Sequence, residues 1–185
     1  MKKEPIIKDN TGFLDRKLSN LILHTLPFWH SIGFTPNGLT TLGLISSILC
    51  LLFFYKHSLL YAIVFLVLRW YFDYADGMLA RKYKETSKFG DYYDHITDWI
   101  FYFGLIYTIY IKSKMKSIHM LILLTSTILF GMHQGCIEKA SHKYNKTETS
   151  LSWLRHLCIN SRFISLFDNT VLYLVFIFLI CHILK

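Results

Sequence analysis

No C-x-x-C pair occurs in this 185-residue sequence, although it contains four cysteines: Cys50, Cys136, Cys158 and Cys181. The absence argues against a zinc site, and nothing in the spacing indicates a disulfide. Three of the cysteines lie in apolar runs, where cysteine behaves as a small apolar residue. No internal repeat, low-complexity tract or cleavable signal sequence is evident either. We therefore expect unpaired cysteines and no removable leader.

Charged residues are scarce and unequal in sign. They make up 17% of the chain, with 20 Lys and Arg against 12 Asp and Glu, for a net charge of +8. The basic residues are scattered around apolar segments rather than grouped on one face, which argues against a nucleic-acid partner. Hydrophobic residues make up 53% and the mean hydropathy is +0.36, too apolar for a soluble domain of this size. These values indicate a membrane protein whose positive charge attracts anionic lipid head groups.

Apolar runs about 20 residues long, the length that crosses a bilayer, occur at five places. They are residues 37–55, 59–78, 92–111, 118–137 and 166–184. The polar residues 141–161 form either a loop with a short interfacial helix or a sixth, partly buried helix. The predicted fold class is therefore all-α, a polytopic membrane helical bundle with five or six transmembrane helices.

Residues 11–30 differ from these runs because apolar side chains recur at helical spacing with charged residues between them. This pattern predicts an amphipathic helix on the membrane surface, ended near Pro27. A helix packed on another protein surface is the alternative. We expect two parts of the chain: residues 1–34, a cytosolic tail with the interfacial helix, and residues 35–185, a single transmembrane catalytic domain.

The distribution of Lys and Arg predicts the orientation. Most of the Lys and Arg residues lie in the segments before the first, third and fifth apolar runs, which share one side of the membrane. Because positive charge favours the cytosolic side, the N-terminus and the loop 82–89 are expected in the cytosol. Lys112, Lys114 and Lys116 oppose this orientation. The predicted location is a multi-pass membrane protein with its active site near the cytosolic face, in the endoplasmic reticulum of a eukaryote or the plasma membrane of a prokaryote.

Four aspartates border the second and third apolar runs: Asp73, Asp76, Asp94 and Asp98. An acid at membrane depth costs roughly 2.5–3.5 kcal/mol on the lenient insertion scales. Helical positions three or four apart share a face, so each pair projects from one side of its helix. If residues 82–89 form a loop, the two acidic faces converge and need cations between them. Carboxylate ligands suit Mg²⁺ or Mn²⁺, and a pair of such ions commonly serves phosphoryl chemistry.

These residues occupy the pattern D-x-x-D-G-x-x-A-R-x8-G-x3-D-x3-D, which resembles the signature of the CDP-alcohol phosphotransferase family. Its fixed positions are Asp73, Asp76, Gly77, Ala80, Arg81, Gly90, Asp94 and Asp98. The segment Thr35-Pro36-Asn37 resembles the family's entry to its first transmembrane helix. The resemblance covers roughly residues 30–112, and the family usually has six spans where this chain shows five.

The resemblance implies roles for the residues that match. It implies two Mg²⁺ or Mn²⁺ ions on the four aspartates, with Asp98 also the catalytic general base. It implies contacts with the CDP moiety from Asn37, Gly77, Ala80, Arg81, Ser87 and Gly90. The residue types agree, because Gly77 and Ala80 leave room against the helix and Arg81 offers a planar guanidinium suited to phosphate oxygens.

Polar residues outside the signature are candidates for an acceptor pocket. His133 lies within the fourth apolar run, Arg155 and Arg162 precede the fifth, and Asp168 lies at the start of the fifth. The alternative for His133 is a hydrogen-bonded histidine in the core. The alternative for the other three residues is anchoring at the membrane interface. Near the signature, Asp91 is expected to act as a helix N-terminal charge. His95 is expected to point away from the aspartates toward packing or head-group contacts.

The predicted function is therefore a membrane-embedded enzyme of phospholipid synthesis. It would transfer a phosphatidyl or phospho-alcohol group from a CDP-linked donor to an alcohol with release of CMP, preferably from CDP-diacylglycerol to a small polar alcohol. Transfer from CDP-choline or CDP-ethanolamine to diacylglycerol is the alternative within the family. A cation transporter or channel with intramembrane aspartates is the alternative of another class. The expected partners are the CDP-linked substrate, the alcohol, the lipid bilayer and, as one option, a second copy in a homodimer.

Overall fold

The computed structural model of the chain describes residues 12–145, 150–159 and 163–185. Arg162 lies outside the described residues. Two short helices, α1 (Phe13–Leu23) and α2 (Leu26–Ser31), precede five long ones. The long helices are α3 (Pro36–Tyr55), α4 (Leu59–Tyr83), α5 (Lys88–Lys112), α6 (Lys116–Asn145) and α7 (Asn169–Leu184). Two 3₁₀ helices, Ser152–Leu157 and Ile164–Leu166, stand between α6 and α7.

The five long helices run up and down, so that one end of the bundle gathers the starts of α3, α5 and α7 with the ends of α4 and α6. Helix α3 packs against α4 and α5, and α7 packs against α4 and α6. Short loops join α3 to α4 and α4 to α5, which forces these neighbours to be antiparallel. The end that gathers these starts carries all the residues of the predicted site, and we call it the site end.

Side chains cap the helices that begin at the site end. The hydroxyl of Thr35 accepts a hydrogen bond from the Gly38 amide at the start of α3, and Ser87 does the same for Gly90 at the start of α5. Lys84 ends α4 with a left-handed conformation at φ 62°. Such caps satisfy amides and carbonyls that have no partner within the helix, and they fix where the loop between α4 and α5 turns.

The predicted surface helix is divided in two. Helix α1 ends at Leu23, and Pro27 stands in the first turn of α2, where a missing amide hydrogen costs nothing. The expectation that Pro27 ends the helix was therefore wrong, since it helps to start the next one. Ile22 and Leu26 are buried with Leu39, Phe72 and Leu79 in a cluster that fastens both short helices to α3 and α4.

The centre of the bundle is apolar, and so is much of its outside. Cys50, Leu66, Phe101, Leu105 and Leu179 belong to a buried cluster that joins the long helices. Large apolar side chains are also exposed along the outer faces, among them Ile48, Val67, Phe103, Leu124 and Phe178. An apolar exterior of this extent is expected where lipid replaces water. The predicted all-α helical bundle is confirmed.

In the part of the chain that the structure describes, two helices are long and apolar enough, by composition, to cross a membrane: α3 and residues 116–140 of α6. Helix α7 is apolar but shorter. Helices α4 and α5 have 25 residues each, and they carry the charged residues of the site, which lower their hydropathy. Among the described residues, the segment after α6 contains the two 3₁₀ helices and no sixth long helix.

The cysteines do not all stay unpaired. Cys136 of α6 and Cys158 form a disulfide, whereas Cys50 and Cys181 are free. The expectation of no disulfide was wrong because the partners are 22 residues apart and meet only when the chain folds back. Gly135 permits that approach, since a side chain there would overlap the backbone of Leu154. The bond holds the segment after α6 against that helix.

Candidate active site

The structure brings the four aspartates together at the site end. Because α4 and α5 are antiparallel, Asp76 and Asp94 both lie about 10 Å inside their helix ends at the loop, and Asp73 and Asp98 about 15 Å inside. Every pair among the four carboxylates interacts electrostatically. The side chains of Asp94 and Asp98 are 31% and 43% exposed, so a ligand can reach the cluster.

A buried arginine partly balances this charge. Arg69 lies one turn before Asp73 on α4 and is 3% exposed. One guanidinium nitrogen donates to Oδ1 of Asp98 and the other to the Ser47 hydroxyl at 2.9 Å. The guanidinium also stacks over Phe101 at 4.5 Å from the ring centroid. Arg69 therefore holds one oxygen of Asp98 and leaves the other directed toward the cluster.

His95 stands among the acids instead of pointing away from them. Its ring nitrogens lie 3.5 Å from Asp91, 3.8 Å from Asp94 and 4.0 Å from Asp98. The expectation of a packing role was wrong because residue 95 follows Asp91 by four positions and precedes Asp98 by three, which places all three on one side of α5. Asp91 lies in the first turn of α5, as predicted, and also accepts a hydrogen bond from the Ser150 amide at 2.9 Å.

The donor set fits a divalent cation. Asp94, His95 and Asp98 each offer one ligand atom, and the three atoms lie within 4.8 Å of one another. Two further carboxylates, Asp73 and Asp76, are within electrostatic range. The carboxylate oxygens of this set suit Mg²⁺ or Mn²⁺, whereas the His95 ring nitrogen is a ligand more typical of zinc and other transition metals. The residues present could therefore hold the ions that the sequence predicted, at a place where one buried arginine leaves negative charge in excess.

Two neutral side chains orient the α4 carboxylates. The Thr40 hydroxyl of α3 donates to Oδ2 of Asp76 at 2.6 Å. The Asn169 amide of α7 donates to Oδ2 of Asp73 at 3.0 Å. In each case the bond fixes one oxygen of the carboxylate. Helices α3 and α7 thus fix the directions of groups that α4 carries.

The residues predicted to bind CDP form two contacts near the acids. At the start of α5, a side chain on Gly90 would come within 3.0 Å of the Asn37 amide oxygen and 3.1 Å of the Ser87 hydroxyl. On α4, the Arg81 guanidinium lies over Gly77, where an added Cβ would be 3.2 Å from its nearest nitrogen. Arg81 is within electrostatic range of Asp76, and Ala80 is half-buried one residue before it. These groups therefore surround the mouth of the acidic cluster.

The described candidate acceptor residues lie on α6, on the segment that follows it and at the start of α7. His133 of α6 is 3% exposed, its Nε2 has no hydrogen-bond partner, and it is within range of the charges of Asp15 and Asp168. Arg155 donates from Nε to the Ser152 carbonyl within its own turn. Asp168 caps the N-terminus of α7. Its carboxylate therefore stabilises the fold, whereas from the sequence it was also a candidate for contact with the acceptor.

Sequence reasoning missed three polar residues of the site: Thr40, Arg69 and Asn169. Arg69 had a signal, because an arginine four positions before Asp73 must share its helix face. Asn169 had none, since it reaches Asp73 across 96 residues of sequence. Its contribution depends on how α7 packs against α4, which local spacing does not encode.

Comparisons with known proteins agree with this geometry. A family model described as CDP-alcohol phosphatidyltransferase matches residues 34–183. An archaetidylinositol phosphate synthase from Pyrococcus horikoshii is 37% identical over 68 residues, which cover 37% of this chain and 36% of that protein. The match thus spans little more than a third of this curated relative, and no solved structure matches significantly. Because the family model covers all five long helices and all four aspartates, the chain belongs to the CDP-alcohol phosphatidyltransferase family.

Proposed function

We propose that the chain is a membrane-embedded transferase that moves a phosphatidyl or phospho-alcohol group from a CDP-linked donor to an alcohol and releases CMP. The observation that carries this proposal is the convergence of four carboxylates from α4 and α5 beside the Asn37, Ser87 and Gly90 contact. Acids alone would suit any cation site. Acids beside small residues and an arginine suit a cation-bound diphosphate.

The proposed donor site lies at the mouth of the cluster. Helices α3 and α5 direct their N-termini toward the site end, and the partial positive charge of a helix N-terminus favours phosphate. Arg81 adds a guanidinium that can bind two phosphate oxygens at once. The absence of side chains at Gly77 and Gly90 lets Arg81, and Asn37 with Ser87, lie close against the two helices, where they can face the nucleotide. A bulky residue at either position would displace these groups.

The reaction breaks one phosphorus–oxygen bond and forms another. The alcohol oxygen attacks the β-phosphorus of the donor, the bond to the oxygen shared with the α-phosphate breaks, and CMP leaves with that oxygen. Divalent ions on Asp73, Asp76, Asp94 and Asp98 would neutralise the phosphate charge. Asp98 is the proposed acceptor of the alcohol proton. Arg69 binds its Oδ1, and its Oδ2, which lies 4.0 Å from the His95 ring, is the oxygen proposed to take that proton.

The preferred substrates are a CDP-diacylglycerol type of lipid and a small polar alcohol such as glycerol 3-phosphate, inositol or serine. The name of the Pyrococcus relative adds an inositol phosphate to these candidates. His133, Arg155 and Arg162 remain the proposed acceptor residues. Transfer from CDP-choline or CDP-ethanolamine to diacylglycerol is the second candidate, favoured by the His95 ring beside Asp94.

A direct assay tests this function. Purified protein in detergent would be incubated with Mg²⁺ or Mn²⁺, each CDP-linked donor and a panel of alcohols, and the lipid product identified by mass spectrometry. We expect CMP and one phospholipid to appear together, and both to be abolished by EDTA. Asp98→Asn is the control for a contaminating enzyme. Undiminished CMP release in EDTA, or no release from any donor, would show the proposal to be wrong.

The proposed orientation places the site end in the cytosol. A cysteine at Lys84, in a chain without its native cysteines, should be shielded from an impermeant thiol reagent in sealed right-side-out membranes. A cysteine at Lys114 is the matched control on the opposite side and should be labelled. Labelling at position 84 with protection at 114 would invert the orientation.

A further inference from the structure

The start of α7 is joined to the start of α1 by two carboxylates that exchange helix caps. Asp168 accepts hydrogen bonds from the Val171 amide of its own helix at 3.0 Å and from the Asp15 amide of α1 at 3.1 Å. Asp15 in turn accepts from the α7 amides of Asn169 at 3.1 Å and Thr170 at 2.8 Å. Each acid therefore satisfies amides of the other helix that would otherwise have no partner.

This α1–α7 junction is enclosed. Asp15 and Asp168 are 3% and 1% exposed. Gly12, which precedes α1, lies so close to the Asp168 carboxylate that any side chain there would overlap it. Charged hydrogen bonds away from water are short-ranged and directional, so the junction fixes the position of residue 169 relative to α1.

Asn169 joins the junction to the acidic cluster. Its backbone amide donates to Asp15, and its side-chain amide donates to Oδ2 of Asp73. The backbone bond holds the residue in place, and the side-chain bond occupies one oxygen of Asp73 and directs the other toward the cluster. A hydrogen bond of this type behind a metal-binding carboxylate sets its orientation.

We propose that Asn169 is a positioning residue for Asp73, and that Asp15 of the surface helix α1 holds Asn169 for this task. The inference rests on the proposed function, in which Asp73 binds a divalent ion. It extends that function because α1 then becomes part of the active-site support as well as a membrane-surface element. Two residues outside the family signature, Asn169 and Asp15, then help to orient a metal-binding carboxylate because α1, α4 and α7 pack together.

Binding of Mn²⁺ tests the proposal without turnover. Free Mn²⁺ would be measured by electron paramagnetic resonance during titration of the full-length protein in detergent. Loss of a partner behind a metal ligand weakens metal binding roughly 10–100-fold, so Asn169→Ala should raise the dissociation constant by that factor. Thr127→Val is the matched control, because it also removes a part-buried side-chain bond between two helices, to Tyr102 at 2.7 Å, together with the hydroxyl's bond to the Leu123 carbonyl in its own helix. It should bind Mn²⁺ like the wild type.

A turnover measurement separates positioning from general damage. If Asn169 positions Asp73, the Asn169→Ala enzyme should need more Mn²⁺ for half-maximal rate and recover most of its kcat at saturating Mn²⁺. A purely structural defect would lower kcat at every concentration and leave the Mn²⁺ requirement unchanged. That second outcome overturns the inference.

The role of Asp15 is tested by a double mutant. Asp15→Ala should weaken Mn²⁺ binding in the same direction as Asn169→Ala, and the double mutant should bind no more weakly than Asn169→Ala alone. Asp15→Asn, which keeps one acceptor oxygen, carries the test if Asp15→Ala does not fold. Independent, additive losses would refute the link through Asn169.

Failure of the proposed function gives a different result. If wild-type protein binds Mn²⁺ no better than Asp73→Asn, no metal site exists there and the proposed function fails. If wild-type protein binds Mn²⁺, Asp73→Asn does not, and Asn169→Ala matches the wild type, only the positioning role is wrong.

Discussion

Two groups of carboxylates lie at the site end, one buried and one partly exposed, and their partners differ. Asp15 and Asp168 accept hydrogen bonds from four backbone amides at the starts of α1 and α7. The aspartates of α4 and α5 interact with one another, and each of their neutral partners, Thr40 and Asn169, occupies only one oxygen. The first group is satisfied by the fold itself, whereas the second keeps free oxygens and unbalanced charge.

This difference separates acids that the fold satisfies from the acids that we propose to be functional. A buried charge is costly unless it is paired and hydrogen bonded, and the helix amides of the α1–α7 junction meet that cost. The α4–α5 cluster has Arg69 as its buried cation and more than one carboxylate beside it. Strongly coupled acids in an accessible cleft are typical of functional sites. The comparison predicts opposite consequences when acids of the two groups are neutralised.

The largest effect is expected at Asp98. Asp98→Asn keeps the shape of the side chain but removes the proton acceptor, and a general base contributes roughly 10²–10⁴-fold to a rate. We expect CMP release to fall by that factor while binding of the CDP-linked donor stays close to normal. The measurement is turnover at saturating Mn²⁺ together with donor binding by calorimetry. Near-normal turnover would show that another group takes the proton.

In the α1–α7 junction the main loss should be stability. Asp15→Ala leaves two buried α7 amides without acceptors, and each unsatisfied buried group costs about 1–3 kcal/mol. The expected result is a lower unfolding temperature in the presence of EDTA, where no metal contributes. Asp91→Ala is the matched control, because Asp91 also accepts a backbone amide but its side chain is 33% exposed. An equal loss in both variants would contradict the importance of burial.

A smaller effect is expected at Thr40. Thr40→Val preserves the shape of the side chain and removes the hydrogen bond to Asp76, whose net worth is about 1.5–3 kcal/mol for a charged acceptor. A cation bound to Asp76 would replace part of the stabilisation lost with this hydrogen bond. We therefore expect turnover to fall by roughly tenfold, which corresponds to about 1.4 kcal/mol in the activation free energy. Thr41→Val serves as the control, because it removes an exposed hydrogen bond between the hydroxyls of Thr41 and Tyr93. Equal rates for Thr40→Val and wild type would remove Thr40 from the site.

Much of the bundle follows from local pattern. The five predicted apolar runs coincide with α3 to α7 to within a few residues, except where polar residues extend α4 and α6 at the site end. The pairs Asp73 with Asp76 and Asp94 with Asp98 are three and four positions apart, so a helix alone puts each pair on one face. A short loop then suffices to bring both pairs together.

What local pattern did not predict depends on distant contacts. The bond from Asn169 to Asp73 and the exchange of caps between Asp15 and Asp168 join residues 96 to 155 positions apart. The disulfide between Cys136 and Cys158 needs the chain to fold back on α6. The wrong prediction for the His95 side chain had a different cause. Its spacing to Asp91 and Asp98 places all three side chains on one side of α5, whereas its angle to the adjacent Asp94 predicted that it points away from the acids.

The most direct test of the contrast between the two groups is the effect of Mn²⁺ on the unfolding temperature of Asp94→Asn. Neutralising one acid of a repelling cluster should raise the unfolding temperature above that of the wild type in EDTA. Added Mn²⁺ should stabilise the wild type, because a ligand that binds only the folded state raises its stability, and should stabilise Asp94→Asn much less. An unchanged temperature in EDTA together with the full Mn²⁺ shift would contradict the assignment of this cluster as a metal site.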